Sequence, residues 1–84
     1  GLANPRGNPV SDVVTIPYST GLTLSTSFQV VNALGTVVLE VHSPVVPSGD
    51  YVLEADVSNL ANGLYFVRMI SGPFTATTSF NVMR

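Results

Sequence analysis

A chain of 84 residues with a net charge of −2, 45% hydrophobic side chains and no cysteine makes one small domain. It excludes disulfides, thiolate zinc sites and cysteine nucleophiles. Only 10% of residues are charged, and lysine is absent. Arg6, Arg68 and Arg84 are too scattered to displace phosphate counterions from nucleic acid or to hold an anionic membrane surface.

Fourteen valines and eight threonines, stiff at χ1 and suited to a pleated surface, favour strands throughout. No apolar run reaches the roughly 18 residues of a membrane span, so direct membrane insertion is not expected. The chain opens on Gly1 rather than methionine and reads as a piece of a longer protein. Asn4-Pro5, Gly7 and Asn8-Pro9 are turn formers, and residues 1–9 read as a linker into a domain over 10–84.

Val13 to Tyr18 reads as the first strand, with Pro17 placing it at an edge or a bulge. Ser19-Thr20-Gly21 breaks the run. A second strand is expected from Leu24 to Asn32, with Phe28 and Val30 on one face and Gln29 on the other. Asn32-Ala33-Leu34-Gly35 is a hairpin turn, Gly35 supplying positive φ. Val37, Leu39 and Val41 then alternate with Val38, Glu40 and His42.

After Pro44, Pro47 and Gly49, the residues Tyr51, Leu53, Ala55 and Val57 alternate with Val52, Glu54 and Asp56. Ser58 to Asn62 form a corner, and Asn62-Gly63 turns the chain into a strand from Leu64 to Ile70. Tyr65 stands two residues past the turn glycine, where its hydroxyl can bond back to the corner backbone. Ser71-Gly72-Pro73 is another turn, and Phe74 to Val82 form the last strand. Six or seven short strands at this spacing predict an all-β, immunoglobulin-like antiparallel two-sheet sandwich. The aromatic residues Tyr18, Phe28, Tyr51, Tyr65, Phe66, Phe74 and Phe80 are assigned mostly to its core.

Catalysis has little material. His42 shares the outward face with Glu40, and no nucleophile elbow is present. Asp50, Glu54 and Asp56 could gather around calcium, but no Asp-x-Asp-x-Asp-Gly loop supports it, and a solvated sheet face accounts for them. No catalytic set, cofactor or metal site is expected.

Four segments in order resemble the C-terminal sorting domain of type IX secretion cargo from the Bacteroidota, itself similar to the immunoglobulin-like domain of the flagellar hook-capping protein. They are Asn8-Pro9, opening the first strand; Leu34-Gly35, between valine-rich strands; Leu60 to Arg68, containing Asn62, Gly63, Tyr65, Phe66 and Val67; and Gly72 followed by the strand through Phe80 and Val82 towards Arg84. This chain has Gly7 where a proline often precedes the Asn-Pro pair, and Ser79 or Asn81 where the family usually carries lysine.

The resemblance implies a non-enzymatic address label. An upstream cargo crosses to the periplasm and then the outer membrane because this domain docks on the translocon. A sortase-like peptidase then removes the domain near Gly1 to Gly7, leaving the cargo on the cell surface or outside the cell. Two other readings stand beside it: a retained structural or adhesive immunoglobulin-like module, and a small carbohydrate-binding sandwich.

Overall fold

The structure, a computed structural model, describes residues 1–21 and 25–84. Six strands follow in order: β1 (Val13–Thr20), β2 (Thr26–Asn32), β3 (Val37–Ser43), β4 (Gly49–Asp56), β5 (Gly63–Ser71) and β6 (Phe74–Val82). All pairings between them are antiparallel, in a two-stranded sheet β1-β4 and a four-stranded sheet β3-β2-β5-β6. This is the expected immunoglobulin-like sandwich. The start of the second strand expected at Leu24 lies outside the described residues.

Alternation sets which side chains meet between the sheets. Val14 and Ile16 of β1, Phe28 and Val30 of β2, Val67 of β5 and Phe80 and Val82 of β6 are almost fully buried there. From β4 come Leu53 and Ala55, with Val57 just beyond. Tyr18 meets Phe28 edge-on at 4.9 Å between ring centroids, and Tyr65 stacks on Phe80 at 5.7 Å.

Two aromatics expected in the core are not there. Phe66 follows Leu64 and precedes Arg68 on the outer face of β5, and is 38% exposed. Phe74 sits at the rim where the β5–β6 hairpin closes, and is 60% exposed. Strand alternation explains the first and chain reversal the second.

The turns use the residues that permit them. Gly35 has φ +88°, a left-handed conformation that a side chain disfavours. The Asn32 side chain accepts the N–H groups of Leu34 and Thr36, each at 3.0 Å, and so fastens the same turn.

The opening segment, read as a linker from its turn formers, is hydrogen-bonded to both sheets. Ser19 donates to the Gly1 carbonyl, Ala3 to Pro17 and Arg6 to Thr15, so the segment runs along the outer edge of β1. Strand peptide groups alternate in direction, and those of Thr15, Pro17 and Ser19 face this segment rather than β4. Pro17 therefore removes no donor from the β1–β4 ladder. The segment then crosses to the other sheet, where Val10 bridges Val82 in parallel. It is a strap joining the edges of β1 and β6.

Candidate functional site

Most of the residues singled out in the sequence gather at one end of the sandwich. Asn32 pairs with Tyr65, Tyr65 with Phe80, and Gly63 with Val82, which places the Leu34-Gly35 turn, the Asn62-Gly63 turn and the end of β6 side by side. Asn8-Pro9 joins them: the Asn8 side chain accepts the Asn81 N–H at 2.8 Å, and Val10 exchanges hydrogen bonds with Asn81 and Met83. Val67 and Arg68 lie farther along β5, and Gly72 is at the opposite end. Gly1 is also at that far end, beside Ser19.

The corner from Val57 to Gly63 holds this cluster together. The carbonyls of Val57, Leu60 and Ala61 lie outside the six strands and take other partners. The Tyr65 hydroxyl donates to the Ala61 carbonyl at 2.7 Å, as its spacing from Gly63 predicts. The Arg84 guanidinium donates to the carbonyls of Leu60 and Val57, the latter at 2.6 Å, and its Nε lies 3.5 Å from the Asp12 carboxylate. Asn62 completes the clasp, accepting the Arg84 N–H at 3.1 Å through its side-chain oxygen. Asp56, one strand position before the corner, accepts the Ser58 N–H at 2.9 Å. Hydrogen bonding to Ser58, aided by the Arg84 charge, holds the Asp56 carboxyl below its usual range.

Sequence reasoning found Tyr65 and missed its counterpart. Tyr51 donates to the Pro47 carbonyl at 2.6 Å, again four residues back. The same Gly-x-Tyr spacing, Gly49 to Tyr51, marks it in the sequence. Arg84 is named in the sequence only as the end of the resembling last strand; its clasp had no local signal, because its partners lie 24 and 27 residues away.

The clustered end is apolar where it meets solvent. Leu34 is 92% exposed at its turn and Met83 is 64% exposed beyond β6. Val38, Leu64 and Phe66 are partly exposed beside them on the outer face of the four-stranded sheet. Across the other sheet, an open groove of about 450 Å³ separates the strap from β4. Its tyrosines, Tyr18 and Tyr51, are occupied in the sandwich: they stack at 5.8 Å, Tyr18 is buried, and the Tyr51 hydroxyl is taken by Pro47. They do not form the exposed aromatic row that a carbohydrate platform requires.

These features define a class: an immunoglobulin-like module that displays a fastened, partly apolar end opposite the point where its strap begins. A protein-family model described as the secretion system C-terminal sorting domain matches residues 7–82, nearly the whole chain. The chain belongs to that family, the sorting domains of type IX secretion. A comparison with curated proteins found no match. Membership makes the chain a sorting signal for export from the cell, and it implies an upstream cargo and the type IX machinery as its partners.

Proposed function

We propose that the domain works without catalysis, as a docking label whose recognised surface is the end that carries Leu34, Gly35, Asn62, Gly63 and Val82. The observation that carries this reading is the polarity of the molecule. Asn8-Pro9, the Leu34-Gly35 turn, the Asn62-Gly63 turn and the end of β6 meet at one end, while Gly1, through which a cargo would join, lies at the other, where Gly72 also stands. A cargo attached there leaves the fastened end free to meet the translocon from the periplasmic side. The apolar side chains at that end provide contact area, and the clasp keeps them in a fixed arrangement.

Removal by a sortase-like peptidase fits the same layout with one condition. Residues 1–6 are paired with β1, so a cut among them requires the strap to detach. A cut that leaves the strap in place would fall outside these paired residues. A reporter fused ahead of Gly1 and expressed in a type IX-secreting bacterium tests the reading. The full domain should deliver the reporter to the cell surface or medium, and deletion of Ser79 to Arg84 should hold it in the periplasm. Normal export of the truncated fusion would refute the assignment.

A further inference from the structure

The two flanks of the sandwich differ. One is closed by the strap, which bridges β1 and β6. Among the described residues the other is open, because β3 and β4 each pair with a single strand. The hydrogen bonds of Asn81 point away from β5, so alternation turns the peptide groups of Phe66, Arg68 and Ile70 towards β2. Their partners on β2 are Val31, Gln29 and Ser27, which leaves Phe28 and Val30 facing Val41 and Leu39 of β3. The peptide groups of Glu40 and His42 therefore face outward. By the same alternation those of Asp50, Val52 and Glu54 face outward from β4.

Charge is sorted onto this flank. Of the five carboxylates, Asp12 lies beside Arg84, and the other four, Glu40, Asp50, Glu54 and Asp56, stand on β3 and β4. Neither strand carries an arginine, and the chain has no lysine. Apolar surface distinguishes the two edges. On β4 the inward residues Leu53 and Ala55 are already buried, but on β3 Leu39 and Val41 are only partly covered. The narrower β1-β4 sheet leaves β3 overhanging.

We propose that β3 is a docking edge for an extended, cationic strand of a partner protein, which pairs with the backbone of Glu40 and His42. Backbone bonds give such an added strand its register, and its alternate side chains cover Leu39 and Val41 on one face and meet Glu40 on the other. The acids of β4 draw the cations towards the flank without offering apolar area. A second copy of this chain is disfavoured, since pairing β3 with itself about Glu40 sets two carboxylates directly opposite each other. This edge deepens the sorting reading by naming a partner's chemistry, and it rests on that reading for its biological role. The binding test needs no export, so its failure would leave the sorting reading in place.

The probe is a capped peptide of alternating valine and lysine, titrated into the isotope-labelled 84-residue chain and followed by amide NMR. Binding should shift and protect Glu40 and His42 together with Val37 to Ser43, and should weaken with salt. His42→Pro removes an outward donor without touching the β2–β3 ladder, and it should abolish binding while leaving the fold's spectrum intact. Glu40→Lys should weaken the valine–lysine peptide about tenfold and admit a valine–glutamate peptide instead. Shifts confined to Asp50, Glu54 and Asp56, binding that survives His42→Pro, or a dimer that closes β3 against itself would each overturn the proposal.

Discussion

Arg84 and Val57 stand 27 residues apart in sequence and meet through a 2.6 Å hydrogen bond from guanidinium to carbonyl. The same side chain caps Leu60, so the last residue of the sequence holds the corner that begins the Leu60 to Arg68 segment. Replacing Arg84 by alanine leaves the part-buried Val57 carbonyl with only the Leu60 N–H and gives up the Leu60 carbonyl to solvent. The variant should lose about 1–3 kcal/mol of stability in chemical denaturation. Arg84→Lys, with one compact ammonium in place of a planar fork, should recover only part of that. Full stability in the alanine variant would show the clasp to be incidental.

The two tyrosine corners should differ in weight. Tyr65 is buried against Phe80 and Tyr51 is only partly covered. Tyr65→Phe should therefore lower the unfolding free energy by about 1 kcal/mol, and Tyr51→Phe by less. Equal midpoints for the two variants would contradict this ranking.

Asn8 fixes the strap to β6 through the Asn81 N–H. Asn8→Ala leaves that donor to solvent, so its amide exchange should accelerate while the exchange of Val67 and Tyr65 in the core stays slow. A uniform acceleration would mean that the strap is needed for global stability.

Asp56 gives a pH dependence of known sign. Its folded carboxyl is held below the ordinary value of 3.8 by hydrogen bonding to Ser58 and the Arg84 charge. Folding thus favours the ionised form. The resulting stabilisation is complete above the unfolded value and disappears as pH falls through the lower folded one. Asp56→Asn should flatten the acid limb of the stability–pH curve, and an unchanged slope would remove Asp56 from the account.

Local pattern made much of the fold legible. Period-two alternation placed Phe28, Val30, Leu53, Ala55 and Val67 inside, and Asn32 to Gly35 announced its hairpin. The same alternation carried the warning about Phe66, which shares a face with Arg68; aromatic character outweighed it. Long-range partnerships were not legible. Pro5, Gly7 and Pro9 suggest a loose linker because turn formers describe only their own backbone. The strap exists because β1 and β6 each offer it an unpaired edge. The clasp of Arg84 depends in the same way on a corner brought near by the fold. Motif order pointed to the candidate site, and only the folded chain shows that Asn8, Gly35, Gly63 and Val82 share one end while Gly72 stands at the other.

The most direct measurement is export of a reporter fused ahead of Gly1 with the exposed apolar end altered and the clasp kept. Leu34→Asp combined with Phe66→Thr changes side chains that face solvent and leaves Tyr65, Asn62 and Arg84 untouched. With denaturation showing the domain folded, the reporter should accumulate in the periplasm while the unaltered fusion reaches the surface. Export of the double variant at the unaltered level would contradict the claim that this end is what the machinery reads.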